Sequence, residues 1–152
     1  MLRLLPFAAI SALLVGCDAA PNLVGTWNGE MPENETIKTS KGEFQTNIVL
    51  TIRPDHTFHA STMTAVLDGT WDAAPNQLTL HPQKAMINGR DISEVKAKLE
   101  PIMRMLPPAQ RGALEAYDPS KPWVLEIRNG GKNLFLPSRG EGVSSFTFRK
   151  AS

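Results

Sequence analysis

The 152-residue chain has one cysteine, Cys17, three histidines and a single extended apolar run. One cysteine leaves no internal disulfide and no multi-thiolate metal centre. A charge surplus is also missing: 16 Lys and Arg stand against 15 Asp and Glu. With the two signs interspersed, nothing electrostatic favours nucleic acid or an acidic polymer as partner. No HExxH, G-x-S-x-G, Walker-type or Rossmann pattern occurs in the chain, so no catalytic or cofactor motif is present. The expectation is a protein that is not an enzyme and that holds neither cofactor nor metal.

The apolar run lies at the amino terminus, where Arg3 precedes Leu4 to Val15. At roughly a dozen residues it is shorter than the ~20 that a membrane-spanning helix needs, and it reads as an export signal. No second segment approaches that length. The run ends in Leu14-Val15-Gly16-Cys17, which resembles the lipobox of bacterial lipoproteins. The resemblance implies cleavage after residue 16, a diacylglyceryl group on the Cys17 sulfur, and acylation of the new amino terminus. Membrane lipid would then be a permanent partner, since two or more acyl chains anchor where one binds only marginally. A lone free thiol would be unusual in an exported protein, which favours the anchor over a plain secretory cleavage site with Cys17 just beyond it. Asp18 follows the cysteine; in enteric-type lipoproteins an aspartate there resembles an inner-membrane retention signal. The expected location is the cell envelope, facing the periplasm, with the inner membrane favoured over the outer. Loss of residues 1–16 removes only Arg3, leaving 15 basic and 15 acidic side chains.

Residues 17–22 form the anchor and a short tether, and 23–152 are long enough for one domain with a single core. From Leu23 onward, short alternating segments are separated by Gly, Asp, Asn and Pro, the pattern of antiparallel all-β domains. Expected strands are Leu23–Met31, Phe44–Arg53, Thr57–Ala65, Gly69–Ala73, Gln77–Met86, Trp123–Arg128, Asn133–Leu136 and Ser144–Lys150. Eight strands suit a small closed up-and-down barrel. In the second, Phe44, Thr46, Ile48, Leu50 and Ile52 share one face, which should point inward. The same alternation turns Trp27, Phe58, Trp71, Leu78, Leu80, Trp123, Leu125, Ile127, Leu134, Leu136, Phe146 and Phe148 toward the interior. Turns are expected at Pro54-Asp55-His56, Asp68-Gly69, Pro75-Asn76 and Asn129-Gly130-Gly131.

One segment breaks the alternation, at about 91–117, between the fifth and sixth strands. Asp91-Ile92-Ser93-Glu94 has capping-box spacing, and Ile92, Val95, Leu99, Ile102 and Leu106 then recur on one helical face. Pro101 should kink or restart this helix, and Pro107-Pro108 should end it. A second short helix is expected over Ala109 to Tyr117.

Gly25-Thr26-Trp27 opens the first strand and Gly69-Thr70-Trp71 recurs in the fourth. Between them lies Leu50 to Phe58 with its Pro-Asp turn. The arrangement resembles bacterial lipocalin-like proteins of the calycin type, over most of Leu23–Pro82 and more loosely in the last three strands. A second lipocalin motif of the Thr-Asp-Tyr kind is absent. The resemblance implies a barrel whose first tryptophan meets an arginine near the end of the last strand, a place only Arg149 can take. Gly25, Trp27, Gly69, Trp71 and Arg149 are therefore the expected barrel signature.

Chemistry-bearing residues are sparse. His56 and His59, three apart, fall on opposite faces of a strand, and His81 should point outward beside Thr79. Asp55, Asp68 and Asp72 read as turn residues. The helical insertion offers more. Ile102, Met103, Met105 and Leu106 make an adaptable apolar surface beside Arg104 and Arg111. Met103, Arg104, Met105 and Arg111 are accordingly the candidate ligand contacts, forming a lid over the barrel mouth with a cation for an anionic head group. The expected function is an envelope lipoprotein whose lipocalin-like barrel binds a small hydrophobic or amphiphilic ligand. The alternative is a structural lipoprotein with a filled barrel that docks on an envelope protein through the insertion. Three tryptophans and six phenylalanines in so short a barrel make filling a serious prospect.

Overall fold

A computed structural model describes residues 21–33, 35, 37–39, 42–108, 111, 121–139 and 144–152. Eight strands make the barrel: β1 (Gly25–Glu30), β4 (Asn47–Ile52), β5 (Thr57–Ser61), β6 (Ala65–Ala74), β7 (Gln77–Ile87), β9 (Trp123–Arg128), β10 (Asn133–Leu136) and β11 (Phe146–Lys150). Each runs antiparallel to the next in the chain, and β11 returns to pair with β1. The result is a closed up-and-down cylinder with no free edge among these strands. A separate hairpin, β2 (Ile37–Thr39) and β3 (Gly42–Phe44), lies between the first two barrel strands. The two-residue β8 (Arg90–Asp91) pairs with the end of β7 and leads into α1 (Ile92–Met103). The helix thus sits between the fifth and sixth barrel strands, as the periodicity predicts.

The alternation in β4 is realised. Ile48, Leu50 and Ile52 are buried with Thr46, while Val49 is exposed. Register then stacks inward side chains into layers. One layer runs Trp27, Leu50, Ala60, Leu67, Ala85 across five strands. Another pairs Leu78 with Leu125, and a third Trp71 with Leu80 and Leu80 with Trp123. All join one continuous core that includes Phe146, Phe148 and Ile92 from the helix. A side chain lining a ligand-sized cavity would offer surface to a water-sized sphere. Trp27, Leu78, Leu80, Leu125, Leu134 and Phe148 offer none, so no water-sized cavity touches these six side chains.

Two glycines make that packing fit. Gly29 stands opposite Phe148 in register, and a Cβ built on it would lie 2.5 Å from Phe148 Cε1. Gly69 stands opposite Phe58, where a Cβ would lie 2.9 Å from Phe58 Cε1 and 2.1 Å from the His81 carbonyl oxygen. Each phenylalanine ring occupies space that any other residue would fill.

Gly69 also corrects the sequence reading. Asp68-Gly69 is not a turn: β6 runs straight through it, and the register with β7 shifts there, from Asp68 opposite Lys84 to Gly69 opposite Pro82. Gln83 is the extra residue of a bulge. The turn comes earlier, at residues 62–64, where Thr62 N–H donates to the Ala65 carbonyl at 2.8 Å and Thr62 Oγ1 accepts from Ala65 N–H at 3.0 Å. The expected strand Phe44–Arg53 is likewise divided into β3 and β4.

The barrel has two distinct ends. At the amino-terminal end the chain passes from Pro21 into β1, beside the turns at 53–56, 74–77 and 129–132. Trp27 closes this end from within, its Nε1–H donating to the Leu23 carbonyl at 2.9 Å and Lys150 Nζ lying 5.5 Å above its ring. The opposite, helix end carries Met31, the 62–64 turn, β8 and α1.

Gly69→Ala is expected to lower stability by about 2 kcal/mol or more through overpacking against backbone. Leu125→Ala should cost about 2–5 kcal/mol through a cavity. Urea denaturation followed by tryptophan fluorescence measures both.

Candidate functional site

The helix end is built from Asp91 outward. Its Oδ1 accepts the Ser93 N–H at 2.9 Å and also the Ser93 hydroxyl. The hydroxyl first, and the N–H second, hold the Asp91 carboxyl below its ordinary value of 3.8. This is the N-cap that the Asp-x-Ser-Glu pattern predicts. Ile92 then enters the core, Val95 and Leu99 are half-buried, and Ile102 is 52% exposed. The apolar stripe therefore starts on the barrel and runs off it, with α1 touching β7 and β8.

Pro101 neither stops nor restarts the helix, which continues to Met103. It withdraws one backbone bond from the last full turn, at the Ala97 carbonyl, where the loss is smallest. A groove of about 340 Å³ lined by Ala97, Glu100, Pro101 and Arg104 opens there. The helix closes with tighter bonds, Met105 N–H to the Ile102 carbonyl at 2.8 Å and Leu106 N–H to Met103 at 3.2 Å. Met103 is half-buried, Arg104 exposed, and Met105 is 85% exposed. Arg111 stands one helical turn past Pro107, its N–H donating to the Pro107 carbonyl at 3.2 Å. Its Nε is buried without a hydrogen-bond partner. The structure thus places Met103, Arg104 and Met105 together at the end of α1, with Arg111 beyond Pro107. The expected second helix, Ala109 to Tyr117, otherwise lies outside the described residues.

One further residue of this end, Met63, is expected from the sequence to add to an apolar exposed surface, on the strand face opposite Phe58. It sits instead in the 62–64 turn and is 82% exposed. The hydroxyl pair Thr62 and Thr64 around it is the signal that marks such a turn: Thr62 Oγ1 accepts from Thr64 N–H as well as from Ala65. Asn88 N–H donates to the Thr64 carbonyl at 2.7 Å, tying this turn to the one that leads through β8 into α1. Met63, Met105 and Ile102 are the three most exposed large apolar side chains among the described residues, and all belong to the helix end.

The barrel signature divides. Gly25 begins β1, Trp27 is fully buried, and Gly69 lies on the strand facing the bulge at Gln83. Trp71 is only half-buried, stacked on His56 at 4.7 Å with its Nε1–H on the Arg53 carbonyl at 3.0 Å. Arg149 does not meet Trp27. It lies outward, 69% exposed, with Nη1 3.0 Å from Glu30 Oε2. Strand parity is the reason: Phe148 points inward, so Arg149 must point out, and Lys150, in register with Trp27, supplies the cation instead.

On the outer wall, Asp68 and Asp72 are strand residues, not the expected turn residues. Asp68 Oδ1 lies 2.7 Å from His59 Nδ1 directly across the ladder, and Asp72 Oδ2 lies 2.6 Å from His81 Nε2 on the diagonal. Both carboxylates thus cap histidines on either side of Thr70. Among the described residues no three His, Cys, Asp or Glu gather as a metal site. Asp55 is a turn residue as expected, its carboxyl held below 3.8 by the Thr57 hydroxyl first and the Thr57 N–H second.

Cys17 lies outside the described residues, and among those described no helix is long and apolar enough to cross a membrane. No family model matches the chain, and no curated protein matches it. Among solved structures it is similar to an uncharacterized protein from Bacteroides eggerthii, at 11% identity and a TM-score of 0.41, over 86% of this chain and all of the other. So loose a likeness adds nothing to the site.

A carboxyl with a depressed pKa stabilises above its unfolded value and loses that contribution as pH falls through the folded one. Below pH 3.8 the first turn of α1 should therefore fray. Protection of the 92–103 amides, taken relative to the intrinsic exchange rate at each pH, is expected to fall on acidification in the wild type, to stay flat in Asp91→Asn, and to be lower at every pH in Asp91→Ala.

Proposed function

We propose that this protein is a lipid-anchored envelope lipoprotein whose filled barrel serves as a rigid stand for a docking surface at its helix end. The observation that carries this is the distribution of apolar surface. The interior is packed, while Met63, Ile102 and Met105 are left in water at one end. Scattered exposed hydrophobes carry no meaning, but three at one end, two of them methionines, suit an adaptable contact. Interior packing argues against a hydrophobic ligand held inside the cylinder. Arg104 stands between Met103 and Met105, so the fitting partner is an envelope protein offering an apolar socket with an acidic side chain at its rim.

The anchor supports the same orientation. Pro21 touches Gly131, and Lys150 Nζ donates to the Asn22 carbonyl at 3.0 Å, which holds the incoming chain at the end opposite the helix. From Cys17 to Pro21 the chain spans at most about 14 Å. An acylated Cys17 keeps the amino-terminal end close to the lipid and turns the helix end away from it.

Two measurements test this. Cys17→Ser should move the protein from the membrane to the soluble envelope fraction; unchanged membrane recovery would remove the lipid anchor. A photo-reactive residue at position 102 in intact cells should give a discrete protein adduct that falls at least fivefold with Met105→Glu, and a probe at 129 should give none. A lipid-sized mass increment in place of a protein band would install the hydrophobic ligand instead.

A further inference from the structure

The methionines are not spread over the chain. Beyond Met1 there are five, and each lies at the helix end or on the helix itself. Met31 follows β1, Met63 is in the 62–64 turn, Met86 is the penultimate residue of β7, and Met103 and Met105 end the helical segment. They form a graded series. Met63 and Met105 are more than four-fifths exposed, Met86 and Met103 are half-buried, and Met31 is 6% exposed. The Met31 sulfur is also engaged, accepting the Thr46 N–H at 3.5 Å. Cys17 is the only cysteine, so once it is acylated no thiol remains to intercept an oxidant. The two exposed thioethers are then the accessible soft sulfur of the domain.

We infer that Met63 and Met105 are sulfoxidation sites, and that their oxidation turns the docking surface off. The inference rests on the docking function proposed above. In the step, a sulfur lone pair displaces water from a peroxide. One S–O bond forms and the O–O bond breaks; the sulfide loses two electrons to become a sulfoxide, and hydrogen peroxide is reduced to one molecule of water. The product is polar where the thioether was apolar, which disrupts methionine-rich contacts. Because neither side chain belongs to the core, the barrel survives the change. Met31 is the reserve whose oxidation would reach the rim of the fold, and its burial delays it. Sulfoxide reduction restores the thioether, so the change is reversible in the presence of a methionine sulfoxide reductase.

The experiment uses the full-length protein in membrane vesicles from its host, exposed to graded hydrogen peroxide and analysed by peptide mass spectrometry. Met63 and Met105 should convert first, Met86 and Met103 later, and Met31 at least tenfold more slowly than Met105. Conversion of Met31 as fast as Met105 overturns the assignment. In parallel, the adduct from a photo-reactive residue at 102 should fall at least fivefold once Met63 and Met105 are oxidised. In the double variant Met63→Leu with Met105→Leu, which cannot be oxidised, the adduct scaled to that variant's own untreated level should not fall on oxidation. Equal loss of adduct in the double variant means that the oxidant acts elsewhere, and the switch is wrong while docking stands. No adduct even from untreated vesicles overturns docking and the switch together, and leaves only the conversion order.

Discussion

Filling the inside of an eight-stranded cylinder is the constraint on which this structure depends. Eight strands enclose just enough room for side chains to meet across the axis, and here Trp27, Phe58, Phe148 and a set of leucines are fully buried there. Bulk of that size fits only where the opposite wall gives way. Gly29 yields to Phe148, and Gly69 yields to Phe58 and to the backbone of His81. The bulge beside Gly69 belongs to the same accommodation, since the local bend brings β7 against β6 where no side chain intervenes.

The wall is polar and locally satisfied. His59 with Asp68, His81 with Asp72, and Arg149 with Glu30 each pair within the ladder. Exposed pairs of this kind contribute little to stability. They keep outward positions soluble and occupied, so the helix end is where unsatisfied apolar surface is concentrated.

How far this was legible depends on whether the deciding contact was local. The alternation of Ile48, Leu50 and Ile52, the full extents of β9 and β10, and the cap at Asp91 follow from neighbours within a few residues, and sequence periodicity suffices for them. Asp68-Gly69 failed because glycine marks a turn and a bulge alike; the contact that decides is with Phe58 and His81, ten or more residues away in the chain. Arg149 failed because the resemblance placed it against Trp27, whereas the alternation that correctly turns Phe148 inward sends its neighbour to the other face. At the candidate site, Met103, Arg104 and Met105 were visible because they end an amphipathic stripe. Met63 was visible as an exposed apolar residue but not as a turn tip, because its strand ends at Ser61, four residues earlier than expected, which moves it from a strand face to a tip.

β1 is clamped on both sides, to β4 along its whole length and to β11 from Trp27 to Glu30, with Ala151 N–H adding a bond to the Thr26 carbonyl. Ladder hydrogen bonds lie across the strand axis. A pull on the chain at residue 21, directed along β1, therefore loads all of these bonds together in shear. It cannot peel them open one by one. A domain held by its amino-terminal tether while its far end grips something else would carry mechanical tension along its strongest axis.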